Sequence, residues 1–312
     1  MTGANTPHHR IDLEKLVAMT ERIPLTDGRT STRVPFLSVI RHRRDTVRSP
    51  GVLTPSFCLI LQGTKRLYLG QEIFDYGAGD YLASLIDMPA SAQVTGAMEQ
   101  SPYLGLRIDF TTEEIASVVM EAGINPASRE KGLSAGAFIG KSDGELLDIF
   151  VRLLKLIDKP EDVRFLSELM KKEMIFNLLS GEFGHLFFQK ALFDQQSDGI
   201  GKAIQWIKEN YARAFTVEEL AKSCNMSTSG LHHKFKAITT MGPLQYQKQL
   251  RLQEARRLLL SGPMGVTTAA LAVGYESPSQ FNREYRRLFG LPPLQDMKTM
   301  RRTAGTWGFE DS

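Results

Sequence analysis

Two stretches of this chain, about fifty residues apart, carry the same layout of hydrogen-bonding side chains. In the first, TVEELAKSCNMSTSGLHHKFK from Thr216 to Lys236, Leu231 and Phe235 lie four apart and share one side of a helix. That leaves Ser229, His232, His233 and Lys236 on the polar side. In the second, VTTAALAVGYESPSQFNREYRRLFG from Val266 to Gly290, Phe281 and Tyr285 repeat the apolar pair and leave Ser279, Asn282, Arg283 and Arg286 outward. Hydroxyl, imidazole, amide and guanidinium groups in such a row can meet the donors and acceptors on base edges in a DNA major groove. Arg283 can pair bidentately with O6 and N7 of a guanine. Lys236 and Arg286, one turn further along, suit phosphate oxygens.

Catalytic chemistry has no comparable motif. The chain contains no G-x-x-x-x-G-K loop, no H-E-x-x-H and no G-x-S-x-G, so no catalytic residue is assigned. Cys58 and Cys224 are too few and too far apart for a disulfide framework or a metal knuckle. Cys58, with Lys65 and Arg66 nearby in sequence, has two readings: a thiol made reactive by a neighbouring cation, or a small buried hydrophobe.

The elements that must hold the two polar rows are legible from their ends. Thr216 and Glu219 form a capping box, Asn225 occupies a turn position that needs positive φ, and Ser227 caps the helix that carries the first row. In the second stretch Gly274 makes the turn, Ser277 caps, Pro278 takes the first helical position and Gln280 completes an S-x-x-Q box. Each stretch therefore predicts a helix-turn-helix unit. Between them Pro243 to Leu260 predicts one long helix with Leu244, Leu250, Ala255, Leu258 and Leu259 as core candidates. About 18 helical residues span ~27 Å, which with side-chain reach approaches the ~34 Å between successive major-groove faces. Gly230 inside the first row's helix is expected to cost about 1 kcal/mol relative to alanine.

Charge is divided to match. Residues 1–197 hold 22 Lys/Arg against 25 Asp/Glu, whereas residues 198–304 hold 16 against 8, so attraction to a polyanion is concentrated in the C-terminal third. No apolar run of about 18 residues is present and the N-terminus lacks a signal-like apolar stretch, which predicts a cytoplasmic protein without a membrane partner.

From Val34 to Phe110 short apolar segments such as FCLIL, KRLYL and YLGLRIDF alternate with Gly/Pro turns, the pattern of an antiparallel sandwich or barrel. The preceding residues predict an arm. Ser142 and Glu145 have the form of a capping box for a helix with Leu146, Leu147, Phe150, Leu153, Leu154 and Ile157 at helical spacing. A second helix follows Pro160, with Phe165, Leu166, Leu169, Met170, Met174 and Leu178. Its apolar residues suit either the monomer core or a dimer interface. His42 is the one histidine in the barrel segment, too few ligands for a metal, and no cofactor is expected.

At the paired units, the Tyr246, Arg251, Ala255, Leu258, Leu259 spacing of the linker helix, and Gly274-Tyr275-x-Ser277 with Phe281 and Phe289-Gly290, the chain resembles the AraC/XylS family of transcription regulators. The resemblance covers about residues 200–300. It places the base-contacting positions on Ser229, His232, His233, Ser279, Asn282 and Arg283. The segment from Pro35 to Gly123 and the helices to Leu179 resemble the N-terminal cupin-like domain of one AraC-type subgroup, which implies a small-molecule pocket in the barrel and helix-mediated dimerisation. Ala269, where a bulkier aliphatic is usual, and Gln295, where a late arginine is common, depart from the family pattern.

The expected fold is α+β: a cupin-like β-barrel with a helical pair, then an all-α DNA-binding domain with two helix-turn-helix units. Sensing and dimerisation fall to residues 1–194 (arm 1–33, barrel 34–123, helices 142–181) and DNA binding to 198–302. The expected function is sequence-specific transcription regulation of promoter DNA under a small-molecule effector, with RNA polymerase and a second copy of the chain as partners. A metal-free cupin enzyme tethered to DNA is the alternative, and a protein binding DNA without sequence preference is a third reading.

Overall fold

The computed structural model describes residues 7–70, 72–124, 136–187, 199–262 and 264–302. Helix α1 (Pro7–Thr20) precedes nine strands: β1 (Gly28–Ser31), β2 (Leu37–His42), β3 (Ser49–Leu53), β4 (Ser56–Gln62), β5 (Thr64–Leu69), β6 (Glu72–Gly77), β7 (Asp80–Ser84), β8 (Met88–Thr95) and β9 (Tyr103–Asp109). Helix α2 (Thr112–Glu121), strand β10 (Ala137–Lys141) and helices α3 (Gly144–Leu156) and α4 (Pro160–Ser180) complete the N-terminal module.

The strands form two antiparallel sheets, ordered β1-β2-β9-β4-β7-β10 and β3-β8-β5-β6. Alternation along each strand gives the larger sheet two buried faces. Phe57, Leu59, Leu61, Leu104, Leu106 and Ile108 turn outward into a core shared with α3 and α4, where Phe57 meets Phe150 at 5.9 Å between ring centroids. Cys58, Ile60 and Tyr103 turn inward, joined by Leu67, Leu69 and Tyr76 of the smaller sheet. This is the two-sheet β domain that the turn spacing predicts.

Three expectations are corrected here. The arm is structured: α1 packs on α3 and β4 with Leu16 fully buried, and β1 pairs with β2 at the sheet edge. Leu13, Leu16 and Val17 supply the apolar contacts that an arm would lack. The sheet also extends past residue 123, because β10 pairs with β7 from Ala137↔Ser84 to Lys141↔Asp80. Finally, Asp143 caps α3, its carboxylate accepting the Leu146 N–H at 2.8 Å, while the Ser142 hydroxyl donates to the Gly79 carbonyl at 2.7 Å. The apolar residues of α3 and α4 divide between two roles. Leu153 is fully buried within the monomer, whereas Phe165, Leu169 and Phe176 of α4 are exposed.

Seven helices follow: α5 (Ile200–Glu209), α6 (Val217–Ser223), α7 (Thr228–Thr239), α8 (Pro243–Ser261), α9 (Val266–Ala272), α10 (Pro278–Phe289) and α11 (Pro293–Arg302). The expected junction between the modules, 194–198, lies outside the described residues. The core of the first unit, with Leu220, Leu231, Phe235 and Tyr246, is continuous with the apolar interior between the two sheets. The second unit has a separate core around Leu252, Ala255, Leu259, Phe281 and Tyr285. Polar contacts close the seam between modules: Tyr246 Oη donates to the Asp87 carbonyl at 2.7 Å, Lys208 pairs with the Asp87 carboxylate at 2.5 Å, and Gln253 Nε2 donates to the Gly51 carbonyl at 2.6 Å. No helix among the described residues is long and apolar enough to cross a membrane.

Candidate nucleic-acid interface

Each polar row sits on a helix whose start is fixed by a short-range cap. The Thr216 hydroxyl accepts the Glu219 N–H at 3.1 Å and the Glu219 carboxylate accepts the Thr216 N–H at 3.0 Å, so α6 begins in a complete capping box. Asn225 then turns the chain at φ 53°, as its position predicts. Ser227 Oγ accepts the Gly230 N–H at 3.2 Å and starts α7. A Cβ at Gly230 would stand 2.9 Å from that oxygen. Gly230 thus lets the cap approach closely, which sets a local gain against its helix-propensity cost.

The second unit repeats the arrangement on a tighter turn. Gly274 has φ 86°, and a Cβ there would stand 1.9 Å from the Ala212 carbonyl oxygen. Ser277 Oγ accepts the Gln280 N–H at 3.3 Å to start α10, with Pro278 at its first position. Gln280 does not complete the predicted box; its side chain bonds Glu284 at 3.3 Å. Leu231 and Phe235 in the first unit, and Phe281 and Tyr285 in the second, are fully buried. Ser229, His232, His233, Lys236, Ser279, Asn282, Arg283 and Arg286 are all exposed, so each helix presents an uninterrupted polar face.

Linker helix α8 has 19 residues and spans about 28 Å. Of the five expected core residues, Ala255 and Leu259 are buried, Leu250 and Leu258 are half-buried, and Leu244 is exposed; Tyr246 and Leu252 are buried instead. The polar residues of this helix hold the two units in register, a role the sequence reading did not assign. Arg251 donates to the Tyr211 carbonyl at 2.6 Å, the Ala212 carbonyl at 3.1 Å and the Gly274 carbonyl at 3.0 Å, tying the turn after α5 to the turn of the second unit. Gln247 donates to the carbonyls of Tyr211 at 2.9 Å and Arg213 at 2.6 Å. Arg256 makes a two-pronged bond to Asp296, both contacts at 2.8 Å, and the Tyr285 hydroxyl donates to the same carboxylate at 2.8 Å. Polar residues at helical spacing beside buried ones, as at Gln247 and Arg251, are the signal that could have marked them.

Cys58 is buried between the two sheets, and Cys224 is buried in the first unit. Beside Cys58, His42 is held neutral, its pKa lowered to about 4 first by burial and then by the Lys65 charge, with Asp27 acting in the opposite sense. Among the described residues no group of three His, Cys, Asp or Glu side chains is placed to hold a metal.

Residues 33–186 match the family model for the AraC-type transcriptional regulator N-terminus, and residues 220–299 match that for a helix-turn-helix domain. The virulence regulon transcriptional activator VirF of Yersinia enterocolitica is 25% identical over 155 residues, 49% of this chain and 56% of that protein. The transcriptional activator RhaS of Pectobacterium carotovorum is 30% identical over 106 residues, 34% of this chain and 38% of that protein. The chain thus spans about half the length of these relatives or less. Unsaturated-fatty-acid-bound ToxT of Vibrio cholerae superposes with a TM-score of 0.54 over 88% of this chain and 97% of that one, at 10% identity, a likeness of fold.

Proposed function

The chain belongs to the AraC/XylS family of transcription regulators, and from that premise we propose that it binds promoter DNA sequence-specifically and activates transcription in the cytoplasm. The observation that carries this reading is the pair of exposed polar faces on α7 and α10, each N-capped and both packed on one linker helix. In it Ser229, His232 and His233 of the first unit, and Ser279, Asn282 and Arg283 of the second, read base edges in successive major-groove segments. Lys236 and Arg286 hold phosphates. The activating output is proposed from the names of the relatives, and it makes RNA polymerase a partner.

A small molecule bound in the N-terminal module, residues 1–194, controls the DNA-binding module, residues 198–302. The fold shared with fatty-acid-bound ToxT favours such control, as does the apolar core that runs from the inter-sheet space into the first helix-turn-helix unit. The chain acts as a homodimer through its N-terminal helices. Phe165, Leu169 and Phe176, at helical spacing on α4, are exposed in the monomer and give a second copy an apolar surface to cover. In this reading the chain is a regulator and catalyses no reaction.

Footprinting of the full-length protein on DNA upstream of its own and neighbouring genes tests the proposal. The footprint should cover two major-groove segments about 10 bp apart per protomer. Arg283→Ala should weaken specific binding by about tenfold or more, since one bidentate guanine pair discriminates by ~1–3 kcal/mol, while leaving non-specific binding nearly intact. Equal losses of both kinds of binding for Arg283→Ala and His233→Ala would remove these helices from base reading.

A further inference from the structure

The inward faces of the two sheets carry a polar cluster that neither DNA binding nor dimerisation uses. On the larger sheet Cys58 pairs across strands with Arg107, and His42 with Tyr103, whose rings lie 6.1 Å apart. On the smaller sheet Lys65 pairs with Tyr76, on the same face as buried Leu67 and Leu69. Across the gap Cys58 interacts with Lys65, Tyr76 and Tyr103.

Two members of this cluster are incompletely satisfied. Tyr76 and Tyr103 are 3% and 0% exposed, and neither hydroxyl makes a hydrogen bond of good geometry; the polar group beside that of Tyr103 is the Cys58 thiol. Buried phenols without partners are uncommon, and here both belong to one cluster. Gly105, between Tyr103 and Arg107 in β9, accommodates the Tyr103 ring, because a Cβ there would stand 3.0 Å from the phenol oxygen. The cluster's charged groups are cations. Arg107 is already engaged by Asp109 at 2.8 Å and by Thr54. Ile40, Ile60, Leu67, Met88 and Val94 supply apolar walls around it.

We propose that the inter-sheet space is the effector site and that it takes a small carboxylic acid with an apolar body. The carboxylate would be held by the Lys65 ammonium and the Tyr76 and Tyr103 hydroxyls. The inference rests on the ligand-controlled reading above and names the ligand class. Donors outnumber acceptors in the cluster, so a group that only accepts hydrogen bonds and carries negative charge satisfies it, whereas an amine or a sugar hydroxyl leaves donors facing donors. Burial and the neighbouring Cys58 push both phenols above their usual pKa, which keeps them protonated as donors. Burial lowers the Lys65 amine, and an adjacent carboxylate would restore its charge.

Calorimetry and thermal melting of the full-length protein with octanoate and benzoate, against octanamide and benzamide, test this. The acids should bind and raise the melting temperature, with the amides at least about tenfold weaker. Lys65→Met should lose about tenfold or more of the acid affinity, and Cys58→Ala should keep it. Should Lys65→Met fail to fold, the Tyr76→Phe/Tyr103→Phe variant decides. Losing only unpartnered hydroxyls, it should melt at or above the wild-type temperature yet bind the acids about tenfold more weakly. The proposal is overturned if no acid binds, if acids and amides bind alike, or if the double phenylalanine variant binds acids like wild type. A promoter footprint taken without acid on the same preparations separates this outcome from failure of the DNA-binding reading.

Discussion

Replacing Asp296 by alanine removes the carboxylate on which the second helix-turn-helix unit closes. Three bonds of 2.8 Å converge on it, two from Arg256 and one from the Tyr285 hydroxyl, and the side chains of Arg256 and Asp296 are 12% and 6% exposed. Breaking a buried pair by deleting one partner costs about 3–5 kcal/mol, because the remaining charge stays desolvated. Arg256 keeps some solvent contact and its packing over the Phe289 ring at 4.5 Å, so the lower end, about 3 kcal/mol, applies. The second unit's core is small and separate from the core that the first unit shares with the β domain. The loss should therefore fall on one unit. Amide hydrogen exchange in α9 and α10 should accelerate by about two orders of magnitude while α6 and α7 keep their protection, and the footprint should shrink from two groove segments to one. Replacing all three groups together, as Arg256→Met, Tyr285→Phe and Asp296→Leu, should recover much of the stability. Equal acceleration in both units, or no acceleration in either, refutes the assignment of Asp296 to a local, unit-specific role.

Lys236→Ala and Arg286→Ala should weaken binding to all DNA sequences alike and each reduce the slope of log affinity against log salt by about one counterion, measured by titration at several salt concentrations. Leu169→Glu should convert the dimer to a monomer in light scattering with the melting temperature kept, because Leu169 is exposed; Leu153→Glu, at a fully buried position, should unfold the N-terminal module instead. The folded-state pKa of His42 lies near 4 against 6.5 for the free side chain, so the unfolded chain takes up its proton first as pH falls. The stability this contributes is complete above pH 6.5 and lost as pH falls towards 4, about 2 kcal/mol of it by pH 5. A His42→Gln variant should show a flatter dependence of denaturant midpoint on pH over that window.

The parts of this protein legible in its sequence are those whose physics is local. A cap acts over three residues and an apolar stripe repeats every three or four, so Thr216 with Glu219, Ser227, Asn225, Gly274 and Ser277 marked both units, and their outward residues proved exposed. Short strands between Gly/Pro turns marked the β domain for the same reason. Where two local signals competed, the sequence was ambiguous: Ser142 and Asp143 can both cap α3, and the Gly79 carbonyl, brought alongside by β10, took the serine. Tertiary structure alone decided what depends on segments far apart in the chain. The pairing of β10 with β7, the burial of Leu16 of α1 in the core beneath α3 and α4, and the fusion of the first unit's core with the inter-sheet space have no short-range pattern. The bonds of Arg251 to Tyr211 and Gly274, and of Asp296 to Arg256 and Tyr285, join residues as far as forty positions apart. A buried polar group can be satisfied by any partner the fold brings within reach, so its identity in the sequence says that a partner is needed, and only the packed structure says which one.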